Sequence, residues 1–111
     1  MLFRSHGSDT GRRKTLEPLF IKYGVSVVLT GHDHIYERTK PQNGIVYFVA
    51  GSGGQLRRGN LNRRTGLTAA GNDTVQTFLA AEINGDEMTF NAITRTGDII
   101  DSGVIQRRKP E

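Results

Sequence analysis

The chain has 111 residues, a length that suits one domain with a modest hydrophobic core. It contains no cysteine, which excludes disulfides and thiolate metal sites and leaves histidine and oxygen ligands for any metal ion. No apolar run approaches membrane-spanning length, so we expect no membrane partner. Residues 1–6 lack the apolar segment of a signal peptide, and the sequence leaves the compartment open.

The formal net charge of +4 comes from short basic clusters. These clusters are Arg12-Arg13-Lys14, Arg57-Arg58, Arg63-Arg64 and Arg107-Arg108-Lys109. We expect them to form solvated surface, and the alternative is a positive field that attracts phosphorylated substrates or nucleic acid. Aromatic residues are not interleaved with the arginines, so a platform that stacks single-stranded bases is not expected.

The first predicted element is a helix over residues 10–23. Its apolar residues recur at intervals of three and four, which is the spacing of one helical face: Leu16, Leu19, Phe20 and Tyr23. Gly24 is a typical residue at which a helix ends. Pro18 lies inside this helix and predicts a kink, because proline cannot donate the backbone hydrogen bond.

Two apolar runs, residues 25–29 and 45–49, predict two short buried strands. Residues 51–71 have little periodicity and predict a long loop. The loop starts with Gly51-Ser52-Gly53-Gly54, but the Gly-Lys-Ser/Thr of a nucleotide P-loop does not follow. These glycines predict a tight turn whose backbone comes close to the loop that follows the first strand.

The last third of the chain predicts an antiparallel meander of three strands, over residues 75–83, 88–94 and 99–105, because apolar residues alternate there. Asn84-Gly85 is a strong hairpin signal between the first two strands. The third strand is interrupted at Asp101-Ser102-Gly103, where we expect a bulge or bend. Residues 107–111 are predicted to form a frayed, charged tail.

The stretch that bears chemistry is Gly31-His32-Asp33-His34-Ile35-Tyr36-Glu37-Arg38, directly after the first predicted strand. If the chain stays extended past Leu29, His32 and His34 project to the same side and form half of a metal site. The spacing alone is weak evidence, and two ordinary surface histidines are the alternative.

The octapeptide resembles the last metal-binding motif of the calcineurin-like metallophosphoesterases, and its Tyr-Glu-Arg ending resembles the purple acid phosphatase branch. Residues 22–25, 46–54 and 78–83 are similar to the same branch, so the resemblance covers nearly the whole chain. It implies an α/β fold: the C-terminal half of a four-layered α/β/β/α sandwich, with one helix, two central strands and an antiparallel three-strand meander. Residues 1–111 would then form one partial domain.

The resemblance implies hydrolysis of phosphate esters at a binuclear centre, in which two divalent or trivalent ions (iron, zinc or manganese) are bridged by a hydroxide and a carboxylate. By resemblance, His32 binds one metal ion and His34 the other. Their expected supporting groups are Asp33, Tyr36, Glu37 and Arg38, and a local Glu37–Arg38 ion pair is the alternative for the last two.

His6 lies in a His-Gly loop that resembles one near the substrate phosphate in the same family. The resemblance makes it the candidate general acid that protonates the leaving oxygen. The alternative for His6 is an exposed loop histidine without a catalytic role.

The remaining ligands of the resembling family come from Asp-x-His, Gly-Asp-x-x-Asp/Tyr and Gly-Asn-His motifs in the first half of its domain. We expect these motifs to be absent here, so that the chain supplies two of roughly seven ligands. The predicted partners are therefore a phosphate-ester substrate and the missing N-terminal half. The alternatives are a non-catalytic fragment that binds no metal and forms a homo-oligomer, and a basic nucleic-acid-binding module.

Overall fold

The computed structural model of the chain describes residues 3–4, 7–8, 10–31, 34–54 and 66–109. Its helix and strands are, in chain order, β1 (Phe3–Arg4), β2 (Gly7–Ser8), α1 (Thr10–Lys22), β3 (Val27–Thr30), β4 (Tyr36–Thr39), β5 (Val46–Ala50), β6 (Thr68–Asn72), β7 (Thr77–Asn84), β8 (Glu87–Thr94) and β9 (Ile99–Gln106). β1 and β2 form a short antiparallel pair, and β3 to β9 form two larger sheets.

The first sheet has the strand order β3-β5-β4-β6. β3 and β5 are parallel, and β4 is antiparallel to both β5 and β6. β3 and β5 were predicted from their apolar runs, whereas β4 and β6 were not predicted, and β6 begins within the expected loop over residues 51–71. β4 joins β5 through the turn Asn43-Gly44, where both residues have positive φ (53° and 78°), as a tight hairpin that follows the twist of its strands requires.

The second sheet is the predicted meander β7-β8-β9, which the structure confirms. Asn84 pairs with Glu87, so Gly85 and Asp86 form the two-residue turn of the first hairpin. The β8–β9 register shifts between Ala92, which pairs with Asp101, and Ile93, which pairs with Ile99. The irregularity therefore lies at Ile100, one residue before the predicted interruption.

Two hydrophobic clusters lie on opposite faces of the first sheet. Phe48 and Tyr36 pack against Phe90 of the second sheet, and the rings of Phe48 and Phe90 meet edge to face at 5.1 Å. Ile45 and Tyr47 face the other way and pack against α1. The described residues thus form three layers: helix, mixed sheet and antiparallel sheet. The α/β class is confirmed, and the four-layered sandwich stays a prediction.

The predicted helix is also confirmed, with Pro18 inside α1. The helix ends as its sequence indicates, because Gly24 takes a positive φ of 72° and the backbone N–H of Val25 returns to the carbonyl of Phe20 at 3.0 Å. No helix in the described part of the chain is long and apolar enough to cross a membrane.

The predicted frayed tail is wrong for residues 107–109. The Arg108 guanidinium donates to the carbonyl oxygens of Val25 (2.7 Å), Phe20 (2.7 Å) and Ile21 (3.0 Å), and the Arg108 backbone N–H donates to Ser26 Oγ (2.9 Å). A cation at the C-terminal end of a helix is favoured by the helix dipole and by the carbonyl groups that lack helical partners. The tail therefore anchors the second sheet to α1.

We expect Arg108→Ala to lower the free energy of unfolding by about 1–3 kcal/mol, because it removes charge-assisted hydrogen bonds to partly buried carbonyls. Urea denaturation measures the change. Lys109→Ala is the matched control, since Lys109 is exposed and its loss should change stability by no more than about 0.5 kcal/mol. Equal stabilities of the two variants would contradict the anchoring role.

Candidate functional site

The candidate site lies at the edge of the first sheet where two parallel strands end. β3 leads into the segment that contains the histidines, and β5 leads into Gly51–Ser52–Gly53–Gly54. The backbone N–H of Gly51 donates to the carbonyl of Ile35 at 3.0 Å. The prediction that the glycines bring backbone close to the histidine loop is confirmed. In open α/β sheets, ligands commonly bind at the carboxyl ends of parallel strands.

The glycine turn also connects this edge to the second sheet. Ser52 is fully buried, and its carbonyl accepts a hydrogen bond of 3.1 Å from the backbone N–H of Thr77, where β7 begins. The side chain of Gln76 donates to the carbonyl of Gly54 at 2.5 Å. The glycine turn is therefore hydrogen-bonded both to the segment that follows His34 and to the start of β7 in the second sheet.

His34 is the one predicted metal ligand that lies within the described residues. Its Nδ1 atom is buried and has no hydrogen-bond partner in the described part of the chain. An imidazole nitrogen is a strong polar group, and burying one without a partner costs free energy. A metal ion bound at this nitrogen would satisfy it, so the chemistry of this atom fits the role of a ligand.

His6, His32 and Asp33 lie outside the described residues, so their predicted roles stay predictions. β3 ends at Thr30, and His34 lies in a bend before β4 begins. Strand alternation therefore does not determine how the His34 side chain is directed relative to His32.

A full metal centre is not formed by the described residues, where no group of three or more histidine, aspartate or glutamate side chains is placed to hold a metal ion. The pattern Gly-Asp-x-x-Asp, which we expected to be absent, does occur at Gly97-Asp98-Ile99-Ile100-Asp101. It spans the β8–β9 turn and the start of β9. Asp98 accepts a hydrogen bond from Thr96 there (2.9 Å), so the pattern has a structural explanation.

Tyr36 and Arg38, two of the predicted supporting residues, both bind Asp101 of the second sheet. The Tyr36 hydroxyl donates to Asp101 Oδ2 at 2.5 Å. Arg38 donates through Nε to Oδ2 (2.8 Å) and through Nη2 to Oδ1 (3.1 Å). The Asp101 side chain is only 8% exposed, and the Arg38 guanidinium also lies over the Phe90 ring at 5.5 Å. We call Tyr36, Arg38 and Asp101 the inter-sheet triad.

The inter-sheet triad shifts the pKa of each of its members. Burial disfavours the charged carboxylate of Asp101, but hydrogen bonds from Arg38 and Tyr36 outweigh it and hold its pKa below the usual value. The same carboxylate raises the pKa of Arg38. Burial, together with the hydrogen bond to Asp101, raises the pKa of Tyr36. The triad is therefore a neutral phenol and a buried ion pair over the ordinary pH range.

Glu37 lies on the opposite face of β4 from Tyr36 and Arg38, because alternate residues of a strand point to opposite faces. Its carboxylate is buried and accepts a hydrogen bond from the Thr68 hydroxyl of β6. The salt bridge of Arg38 is formed with Asp101. Of the four predicted supporting residues, Tyr36 and Arg38 thus lie on one face of β4 and Glu37 lies on the other. Asp33 is outside the described residues.

Asp101 was not predicted as a site residue. The available signal was its position in the alternating pattern of β9, where it falls on the face that packs against the first sheet, opposite buried Ala92. A carboxylate on a buried face needs a cationic partner. The identity of that partner, on a strand 63 residues earlier, could not be predicted because β4 itself was missed.

The chain is similar to tartrate-resistant acid phosphatases. It is 31% identical over 98 residues to the type 5 enzyme of the rabbit, Oryctolagus cuniculus, and the match covers 83% of this chain and 30% of that protein. It is 28% identical over 109 residues to the human enzyme, covering 93% of this chain and 34% of that protein. The chain therefore spans about a third of the length of the curated relatives it matches.

The fold is similar to a solved structure described as GAP50, the anchor in the inner membrane complex of Plasmodium. The TM-score is 0.84 at 16% identity, and the match covers 99% of this chain and 35% of that one. No protein-family model matches the chain. Together, these comparisons show a distant relationship to acid phosphatases, a class of hydrolases, and a shared fold with the Plasmodium protein.

We expect the inter-sheet triad to make stability depend on acid pH. The pKa of Asp101 is lower in the folded than in the unfolded chain, so its contribution is fully present above pH ~4 and is lost as the pH falls through the folded-state value. Urea denaturation between pH ~6 and ~2.5 should show a drop in the free energy of unfolding that is smaller in Asp101→Asn. Identical pH profiles would contradict the assignment.

Proposed function

We propose that the chain is part of a metal-dependent phosphoesterase, a phosphatase or phosphodiesterase, in which His34 and His32 each bind one ion of a binuclear centre. Two metal ions held there would supply positive charge for the phosphate oxygens and would lower the pKa of a water molecule that serves as the nucleophile. Iron, zinc and manganese all suit imidazole and carboxylate ligands. His6 is proposed as the residue that protonates the leaving oxygen.

The observation that carries the proposal is the buried Nδ1 of His34, which has no partner among the described residues. It belongs to a motif that resembles a metal-binding motif, in a chain similar to acid phosphatases. It lies beside the glycine turn at the carboxyl edge of two parallel strands. Tyr36 and Arg38, two and four residues after His34, are held by hydrogen bonds to Asp101.

The remaining ligands are proposed to come from a separate polypeptide segment, which would be the N-terminal half of a longer domain. Among the described strands, β3 pairs with β5 alone, so we propose that the segment adds at its other edge. Leu29 on this strand is 61% exposed. Leu19 on α1 and Tyr23, the residue directly after α1, are 49% and 66% exposed. These exposed apolar side chains are available for contact with such a segment.

The direction of the strands favours a segment that adds parallel to β3. A parallel strand would end at the same edge as β3 and β5, so that the loop after it would lie beside His34. A second copy that paired antiparallel through β3 would place its own histidine loop at the opposite end of the sheet. A homo-oligomer of that kind would therefore not complete the metal centre.

The proposed function is tested with a chimera in which this chain replaces the matched segment of the rabbit acid phosphatase. We expect metal-dependent hydrolysis of p-nitrophenyl phosphate that a chelator abolishes. His34→Ala in the chimera should reduce turnover by more than about 100-fold. Loss of a residue that only supports a metal ligand typically costs about 10–100-fold, so a larger loss marks a ligand. The isolated chain should show no turnover, because its donor set is incomplete.

Lys14→Ala is the matched control for the chimera, since Lys14 is an exposed residue of α1. It should leave turnover unchanged. A folded chimera that is inactive with every metal would favour the non-catalytic scaffold. Tight binding of DNA or RNA that falls steeply with salt and ignores chelators would favour the nucleic-acid module.

A further inference from the structure

Asp101 connects the second sheet to the strand that follows the candidate ligand. It lies on β9, and its carboxylate accepts three hydrogen bonds from Tyr36 and Arg38 on β4. The β8–β9 ladder is irregular immediately before it, at Ile100. A bidentate pair of an arginine and a carboxylate fixes both distance and orientation, unlike a single contact between point charges.

The strand that Asp101 holds is short and begins close to the metal ligand. β4 has four residues, and Tyr36 is its first, two residues after His34. Only Ile35 separates Tyr36 from His34, so a displacement of the Tyr36 backbone also displaces the His34 backbone. Near the ligand, the carbonyl of Ile35 is held by the Gly51 N–H at 3.0 Å.

The other restraints on β4 act within its own sheet. Its backbone pairs with β5 on one side and β6 on the other, which fixes its place in the plane of the sheet. The inter-sheet triad acts across the layer, from β9 to β4, and determines how the strand lies relative to the second sheet. Apolar packing, including that of Tyr36 and Phe48 against Phe90, also acts in that direction, and it is less directional.

We propose that Asp101 is a positioning residue for the metal ligand His34, acting through Tyr36 and Arg38. The inference rests on the proposed function, since it assigns Asp101 a role in the geometry of the metal centre. Residues that orient metal ligands have a measurable effect on affinity, and their loss typically weakens binding by about 10–100-fold. A merely structural role predicts lower stability with unchanged metal binding in the folded chain.

The test is a titration of the full chain with Zn²⁺, in which the imidazole NMR signals of His34 report binding. Asp101→Asn keeps the shape of the side chain and removes its charge. We expect its dissociation constant for Zn²⁺ at His34 to rise by about 10–100-fold over the wild-type value, while circular dichroism shows a folded chain. His34→Ala identifies the signals that belong to this site.

Asp86→Asn is the matched control. Asp86 also forms a salt bridge with an arginine, Arg107 at 2.9 Å, but both side chains are exposed, at 67% and 72%. It lies in the Gly85–Asp86 turn, away from β4. The same substitution there should leave the Zn²⁺ affinity of His34 unchanged.

Asp101→Asn leaves Arg38 with a weaker partner in a mostly buried site and risks unfolding the chain. The double variant Arg38→Met/Asp101→Leu is the second test, because apolar replacement of a buried ion pair is often neutral for stability. It should fold and still show weakened Zn²⁺ binding. A folded variant, single or double, with wild-type affinity would overturn the inference and leave the proposed function intact. Absence of any Zn²⁺ response at His34 in the wild-type chain would also overturn the inference, because Asp101 would then position no ligand. The chimera, in which the donor set is complete, tests the proposed function separately.

Discussion

The parallel pairing of β3 with β5 is the constraint on which the candidate site depends. Parallel strands end at the same edge of a sheet, so the segment after each strand is brought to one place. His34 and the glycine turn are more than ten residues apart in the sequence, yet they meet there through the hydrogen bond between Gly51 and Ile35. Without this pairing, the histidine motif would be a surface loop with no defined neighbour.

Polar contacts of two arginines join the three layers. At one end, Arg108 joins the tail of the second sheet to the carbonyl groups at the end of α1. Between the sheets, Asp101 joins β9 to β4. Apolar packing provides most of the driving force for the layers to associate, but it specifies their orientation less strictly than hydrogen bonds to buried charges do. In this chain, directional contacts lie where the sheets must be aligned.

The local elements were predictable where periodicity was strong and turn residues were informative. The spacing of Leu16, Phe20 and Tyr23 predicted α1, and alternation with Asn84-Gly85 predicted the meander. β4 was missed because four residues of mixed polarity, Tyr-Glu-Arg-Thr, are buried on both faces through polar contacts. Its signal was the Asn43-Gly44 turn, which typically joins two adjacent strands.

Long-range polar partners were not predictable from the sequence. The tail was expected to fray because it is charged, yet Arg108 finds carbonyl groups more than eighty residues earlier. Arg38 was expected to pair locally or to support a ligand, and its carboxylate partner proved to be Asp101. Such contacts depend on how whole layers pack, and alternation alone reveals only that a buried charge requires some partner.

The central claim is that this chain contributes His34 to a metal centre completed by another polypeptide segment. Elemental analysis of the dialysed chimera with the rabbit enzyme, together with its mass in solution, tests the claim most directly. The account predicts about two metal ions per monomeric chimera and a clear loss of metal in His34→Ala. The same metal content in the wild-type and His34→Ala chimeras would contradict it.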